Sequence, residues 1–462
     1  MNIGLGFFGG IILARLLAPD DFGTFALALS LYALFDVRSK LQLEQKFLRD
    51  RENPLAQFLT FFSLNLSLSG ASLILAILAA LVAVALQRAD LAGCLVIVGL
   101  VNVADSASAS VRLSIEKEIA FGRVALIQSL SSLVQFTTTA AGAIVGLGLW
   151  SLPWGLAAGT LVSLVIFLRI APHRPRFGLN PPLARGFLAY GARYGLVFTT
   201  ATTILTQCDN LIVALFGGTG ALGFYDRAYR TALWPTVLIS TAIARISLPT
   251  YAKLQDDQAR FSKAVSLVLW VVMTCATPIA IIFVVTAPDL VPALYGAQWT
   301  PSIPILQALA AFALFRTLWE DTVSLLVATG RSGLLARLAM GQAVILILIA
   351  IPLTYALGPL GTAISVGLVF LIPAIFLFLA VRVWLNVNLG EAVFVPILNN
   401  LLMLALYLVI RPQLPLDQGV ATWLRWGIEA ALAVGLYALV SLAISRQTII
   451  GRARYIIQLA RG

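Results

Sequence analysis

Residues 13–28 read LARLLAPDDFGTFALA, and residues 213–228 read VALFGGTGALGFYDRA. In the first stretch an apolar run containing Arg15 is broken by Pro-Asp-Asp, and a second apolar run begins at once. Proline followed by two acids is a helix-start signal, so the stretch reads as two helices joined at a sharp break. Superposed at an offset of 200 residues, the stretches align Ala14 with Ala214, Gly23 with Gly223 and Ala28 with Ala228. Leu13/Val213, Leu16/Phe216, Phe22/Leu222 and Phe25/Tyr225 are similar pairs. The outline of one hairpin recurs later in the chain.

The medium around these helices follows from composition. The chain has 462 residues, of which 60% are hydrophobic and 11% charged, and its mean hydropathy is +0.95. Soluble domains run at about 45–50% apolar and about 25% charged. A hydrocarbon core demands about 20 apolar residues per helix, and many such runs are present. A β-barrel would show short alternating segments instead. The fold class is therefore all-α, a polytopic transmembrane bundle. Fourteen spans are expected at 2–18, 22–37, 57–86, 92–111, 124–147, 153–170, 188–216, 222–249, 264–286, 303–328, 338–357, 360–381, 392–410 and 426–445.

Charge orients the bundle. With the N-terminus inside, the cytoplasmic segments hold 22 of the 31 Lys/Arg, and the opposite side holds only Arg88, Arg411 and Arg425. That is the positive-inside asymmetry, and it places both termini in the cytoplasm. The net charge of +11 is thus explained by loops, and nucleic acid is not expected as a partner. Cys94, Cys208 and Cys275 lie far apart and form no C-x-x-C pair, so no metal site, redox motif or cofactor is indicated. His173, the single histidine, is expected to be solvated in a Pro/Arg-rich loop. The first apolar run, Asn2 to Ala18, is short for a span and suggests a helix that begins upstream of Met1.

The two aligned stretches map spans 1–2 onto spans 7–8, six helices on. An even number preserves orientation, so the repeat is parallel. The expected organisation is an N-terminal lobe at 1–175, a C-terminal lobe at 176–385, and two added helices with a basic tail at 386–462.

Six arginines fall inside expected spans: Arg15, Arg193, Arg227, Arg230, Arg245 and Arg316. Each costs about 2.5–3.5 kcal/mol at a helix centre on insertion scales. Arg227 and Arg230, three apart, share a helix face. Local pairing offers a simpler account, because Asp226/Arg230 and Arg316/Glu320 are both at i, i+4. Asp209 in span 7, Asp105 near the middle of span 4 and Asp321 in span 10 are candidates for binding a proton or sodium ion. Helix caps and arginine partners are the alternatives. Pro235, beside the arginines, is expected to bend span 8.

The stretch ARLLAPDDFG (14–23) resembles the first hairpin of the multidrug/oligosaccharidyl-lipid/polysaccharide flippase superfamily. Residues 207–257 are similar to the Wzx-type polysaccharide and O-antigen exporters, especially the colanic-acid-exporter-like branch. They carry Asp209, then Gly223, Tyr225, Arg227, Ala228 and Tyr229, then Pro235, Pro249 and the Leu254–Asp257 loop. Gly296 and Trp299 match the family's loop before span 10. The segment 36–53 is more charged than the family's glycine-rich hairpin. The resemblance implies a flippase for undecaprenyl-pyrophosphate-linked oligosaccharide in the inner membrane, with glycosyltransferases and a polymerase as partners.

Physics is compatible with that implication. A pyrophosphate cannot cross about 30 Å of hydrocarbon unaided. Guanidinium pairs bidentately with phosphate oxygens and keeps its charge. Arg15, Arg227 and Arg230 are the expected substrate contacts near the outer end, with Arg316 deeper. A drug/cation antiporter of the same superfamily would need an acidic cavity, whereas the intramembrane balance here is basic. A polysaccharide polymerase or ligase would need long outer loops. Here they are short, the longest being 287–302 and 411–425, and an enzyme is not expected.

Overall fold

The computed structural model describes residues 2–50, 53–119, 121–385, 390–414 and 420–461. Among the described residues every regular element is helical. All fourteen expected spans coincide with helices. Ten helices among the described residues are long and apolar enough to cross a membrane, with Leu196–Pro235 running from expected span 7 into span 8. Contact clustering divides the chain into Met1–Asp226 and Arg227–Gly462.

The first unit opens with α1 (Asn2–Leu16) and α2 (Pro19–Phe35). The break lies at Ala18, whose backbone is extended. Its N–H donates to the Asp21 carboxylate at 3.1 Å, and Asp20 and Asp21 place negative charge at the positive end of α2. The segment expected as a loop at 38–53 instead forms two short helices, α3 (Val37–Leu41) and α4 (Leu43–Arg49). Leu43 and Phe47 give α4 an apolar side, and Phe47 stacks on Phe61 at 4.4 Å. Lys117 ties α4 down by donating to the Phe47 carbonyl at 2.9 Å. His173 is half-buried against Phe58, 5.8 Å between rings, rather than solvated. The same aromatic cluster covers it.

Next come α5 (Pro54–Ala85), α6 (Ala89–Lys117), α7 (Phe121–Ile144) and α8 (Ser151–Ile170). The Asn65 amide of α5 donates to Ser110 of α6 at 3.1 Å. Gly155 and Gly159, spaced as in G-x-x-x-G, let α8 approach α7 closely. A methyl group on Gly159 would fall 2.8 Å from the Ser131 carbonyl oxygen. Span 7 begins later than expected. α9 (Pro181–Tyr190) and a π-turn at Gly191–Gly195 lead into α10 (Leu196–Leu254). α10 is broken at Gly218, where φ is +78°, a conformation glycine adopts without steric cost. Ala18 and Gly218 are equivalent under the 200-residue offset, so both hairpins turn at the same position.

In the second unit α10 continues through Pro235 and Pro249. It is followed by α11 (Gln258–Tyr295), α12 (Ser302–Ala328), α13 (Ser332–Leu357) and α14 (Pro359–Leu385). α11 runs nine residues beyond its expected end, so the longest expected outer loop is mostly helix. Leu269, Met273, Leu318, Leu377 and Val393 form a buried core. α15 (Val395–Ile410) and α16 (Thr422–Arg461) pack on α11 through Met403, Tyr407 and Ala433. Ion pairs of Arg425 with Asp289 and of Arg411 with Glu429 tie α16 to α11 and to the end of α15. α16 extends through the segment expected to be a basic tail.

Candidate substrate site

The chain reverses at Gly218, which returns Tyr225 alongside Asp209. The Tyr225 hydroxyl donates to the Asp209 carboxylate at 2.9 Å, and both side chains are buried. The next residue, Asn210, donates its side-chain amide to Ser30 of α2 at 2.9 Å. This polar cluster fixes the start of the second half of α10.

Arg227 follows directly, only 6% exposed. Its guanidinium lies over the rings of Tyr295 and Trp299, at 5.6 and 5.7 Å from their centroids. An arginine desolvated by two aromatic faces gains cation–π attraction, and its planar fork is held in one orientation. Thr231, one turn on, shares a 2.8 Å hydrogen bond with the Tyr295 hydroxyl, so the ring beneath Arg227 is itself anchored. Trp299 is fully buried in the turn between α11 and α12.

Arg316 of α12 donates to the Tyr229 hydroxyl at 2.6 Å and lies over the rings of Tyr229 and Phe370. The three, with Phe312 and Gly367, border a narrow cavity of about 30 Å³. That is room for a few water molecules at most, at about 10–15 Å³ each on this measure, too little for a sugar or a pyrophosphate in this conformation. Glu320 lies one turn on in the same helix. Pro235 borders a neighbouring apolar crevice between α10, α11 and α12.

Arg15 in the last turn of α1 is exposed, as is Arg230. Arg227 and Arg230 thus differ in environment despite their spacing. The side chain of Arg245 lies outside the described residues. Asp105 accepts from Arg38 of α3 at 3.2 Å. Asp321 is fully buried in α12, with one carboxyl oxygen accepting from the Tyr251 hydroxyl at 3.0 Å. Its other oxygen has no partner among the described residues. Sequence reasoning missed Tyr295 and Arg38. Tyr295 sits 68 positions from Arg227 and Arg38 sits 67 from Asp105, beyond any local periodicity.

Residues 12–304 match the model of a family described as polysaccharide biosynthesis protein. The lipopolysaccharide biosynthesis protein WzxC of Escherichia coli K12 is 28% identical over 337 residues, covering 71% of this chain and 67% of that protein. The succinoglycan biosynthesis transport protein ExoT of Rhizobium meliloti is 24% identical over 345 residues, covering 74% and 69%. In three dimensions the chain is similar to the lipid II flippase MurJ in an inward closed conformation. The TM-score is 0.80 at 16% identity, over 97% of this chain and 98% of that one. This is a likeness of fold. With a hairpin-and-arginine stretch at 207–257 inside a family match that spans more than half its length, the chain belongs to the polysaccharide biosynthesis protein family.

Proposed function

We propose that this protein moves a polyprenyl-pyrophosphate-linked oligosaccharide across the bacterial inner membrane by alternating access. Arg227 carries the reading: a guanidinium buried in a membrane helix and fixed over two aromatic rings. An intramembrane arginine is costly and is kept where it meets a substrate or a partner. Pyrophosphate is a ligand its bidentate fork matches. Holding the fork in place beforehand lowers the ordering cost of binding.

Arg15, Arg230 and Arg316 are the further cations of this reading. Arg15 and Arg230 would meet the pyrophosphate near the outer end and Arg316 deeper, with Pro235 as the bend in α10. Asp209 and Asp321, each hydrogen-bonded to a tyrosine, are the candidates for ion coupling. Asp105, paired with Arg38, is a weaker one. Both termini would face the cytoplasm, where glycosyltransferases make the lipid-linked glycan, and a polymerase would take it on the other side. The names of the relatives, which concern lipopolysaccharide biosynthesis and succinoglycan transport, support a glycan cargo.

The test is translocation of a fluorescent lipid-linked saccharide in proteoliposomes. Arg227→Ala should abolish it at normal membrane levels. Arg227→Lys should retain about a tenth, because a point charge lacks the fork. Wild-type rates in Arg227→Ala would remove Arg227 from the site. No movement of lipid-linked saccharide by the wild type would end the reading.

A further inference from the structure

A second cavity lies wholly within the first unit, between α6, α7 and α8. Its volume is about 260 Å³, many times the ~10–15 Å³ that one water needs, and enough for one pyranose ring with its hydroxyls. Its wall is unusual for a membrane helix. Gln128, Ser131, Ser132 and Gln135 of α7 line it, at the i, i+3, i+4, i+7 spacing of one helix face. The opposite face of α7, with Leu126, Leu130 and Leu133, is exposed as a lipid-facing surface is.

The wall's hydrogen-bonding capacity is open. Ser131 and Ser132 donate to their own helix, to the carbonyls of Ile127 and Gln128 at 2.9 and 2.8 Å. Their oxygen lone pairs are left as acceptors. Among the described residues the side-chain amides of Gln128 and Gln135 have no protein partner, and each offers two donors and an acceptor. Leaving such groups dry at membrane depth would cost several kcal/mol each, so the cavity favours a polar occupant. The two charges at its edge are already compensated: Asp105 by Arg38 at 3.2 Å, and Arg112 by Glu116 at 3.7 Å. The charges at the edge therefore cancel, and a phosphate would find no net positive charge here. Mixed donors and acceptors without net charge match the hydroxyl groups of a sugar.

We infer that the α6–α7–α8 cavity binds one uncharged sugar unit of the transported molecule through Gln128, Gln135 and the serine hydroxyls of α7. This rests on the lipid-linked glycan reading above and adds to it a separate place for the glycan. Gly159 keeps α7 and α8 close enough to hold the polar face in register.

The experiment measures binding to the full chain in lipid nanodiscs free of sugar detergents. The probes are farnesyl pyrophosphate and a panel of farnesyl-pyrophosphate-linked mono- and disaccharides. The wild type should bind at least one sugar-bearing ligand about tenfold tighter than farnesyl pyrophosphate. Gln128→Leu/Gln135→Leu should erase that advantage and leave farnesyl pyrophosphate binding unchanged. Ser132→Ala should erase part of it. Arg227→Ala should weaken both ligands. No sugar advantage in the wild type, or an advantage that survives the double variant, would mean a water-filled vestibule only. If farnesyl pyrophosphate fails to bind while a sugar-bearing ligand binds and the double variant abolishes it, the pyrophosphate reading falls and the cavity stands. If neither ligand binds, both fall.

Discussion

Gly23 and Gly223 are packed reciprocally. A methyl group on Gly23 would lie 1.7 Å from the carbonyl oxygen of Thr219, and one on Gly223 would lie 1.9 Å from that of Pro19. Pro19 and Thr219 are themselves equivalent under the 200-residue offset, so the contact has a local two-fold relation. Three identities in sixteen positions are weak evidence of a repeat. One of them, Gly23/Gly223, forms this crossing, where backbone touches backbone and only glycine fits.

Gly23→Ala and Gly223→Ala should therefore each destabilise the protein by about 1–3 kcal/mol, the cost of overpacking against rigid backbone. Gly70→Ala, in a helix with open space beside it, should be neutral or gain up to about 1 kcal/mol. Thermal unfolding in nanodiscs reads the difference. Equal midpoints for Gly23→Ala and Gly70→Ala would remove the crossing as a constraint.

Asp321 offers one free carboxyl oxygen in a fully buried setting, with Tyr251 on the other. If it carries the coupling proton, Asp321→Asn should lose transport driven by a pH gradient and keep substrate exchange without one. Gradient-driven transport at wild-type rates in that variant would exclude it. Tyr251→Phe should cost about 1–3 kcal/mol of stability by stripping a buried acceptor of its donor.

The Arg38–Asp105 pair links α3 to the middle of α6. Because the Asp105 side chain is 43% exposed, the pair is worth little more than a surface bridge, about 0.5–1 kcal/mol. A double-mutant cycle with Arg38→Gln and Asp105→Asn should return a coupling of that size. Additive effects would mean the two side chains do not sense each other.

Membrane orientation can be read by labelling. In a background lacking Cys94, Cys208 and Cys275, single cysteines at Arg176 and Gln298 should react with impermeant reagent from opposite sides. Arg176 should be reached only from the cytoplasm. Reaction of both from one side would overturn the placement of the termini.

The spans were legible because lipid allows so few solutions: backbone polar groups at depth must be paired inside a helix. The hairpin breaks were legible too, through Pro19 and the glycines near 218. α3 and α4 were not. They are short and charged, with Gln42 between them and Asn53 before α5 in left-handed backbone conformations (φ 46° and 45°), which no hydrophobic period announces. In the site, Arg227 and Arg316 stood out as charges among apolar residues. Their aromatic partners did not, since Tyr295, Trp299 and Phe370 are ordinary residues for membrane helices. The spacing of Arg227 and Arg230 pointed to a shared face, but a spacing of three leaves about 60° between side chains on a 3.6-residue helix. Here that angle separates a buried residue from an exposed one.

The polar face of α7 has a consequence for how the protein is made. Gln128, Ser131, Ser132 and Gln135, with Thr137, Thr138 and Thr139, keep α7 out of the set of helices apolar enough to span on their own. Such a segment partitions poorly from the translocation channel into lipid. Its cover is α8, which reaches it through Gly155 and Gly159 after a connection of only six residues, 145–150. We expect residues 121–144 to enter the bilayer with residues 151–170 as a hairpin, so that α7 leaves the channel only after the ribosome has delivered α8.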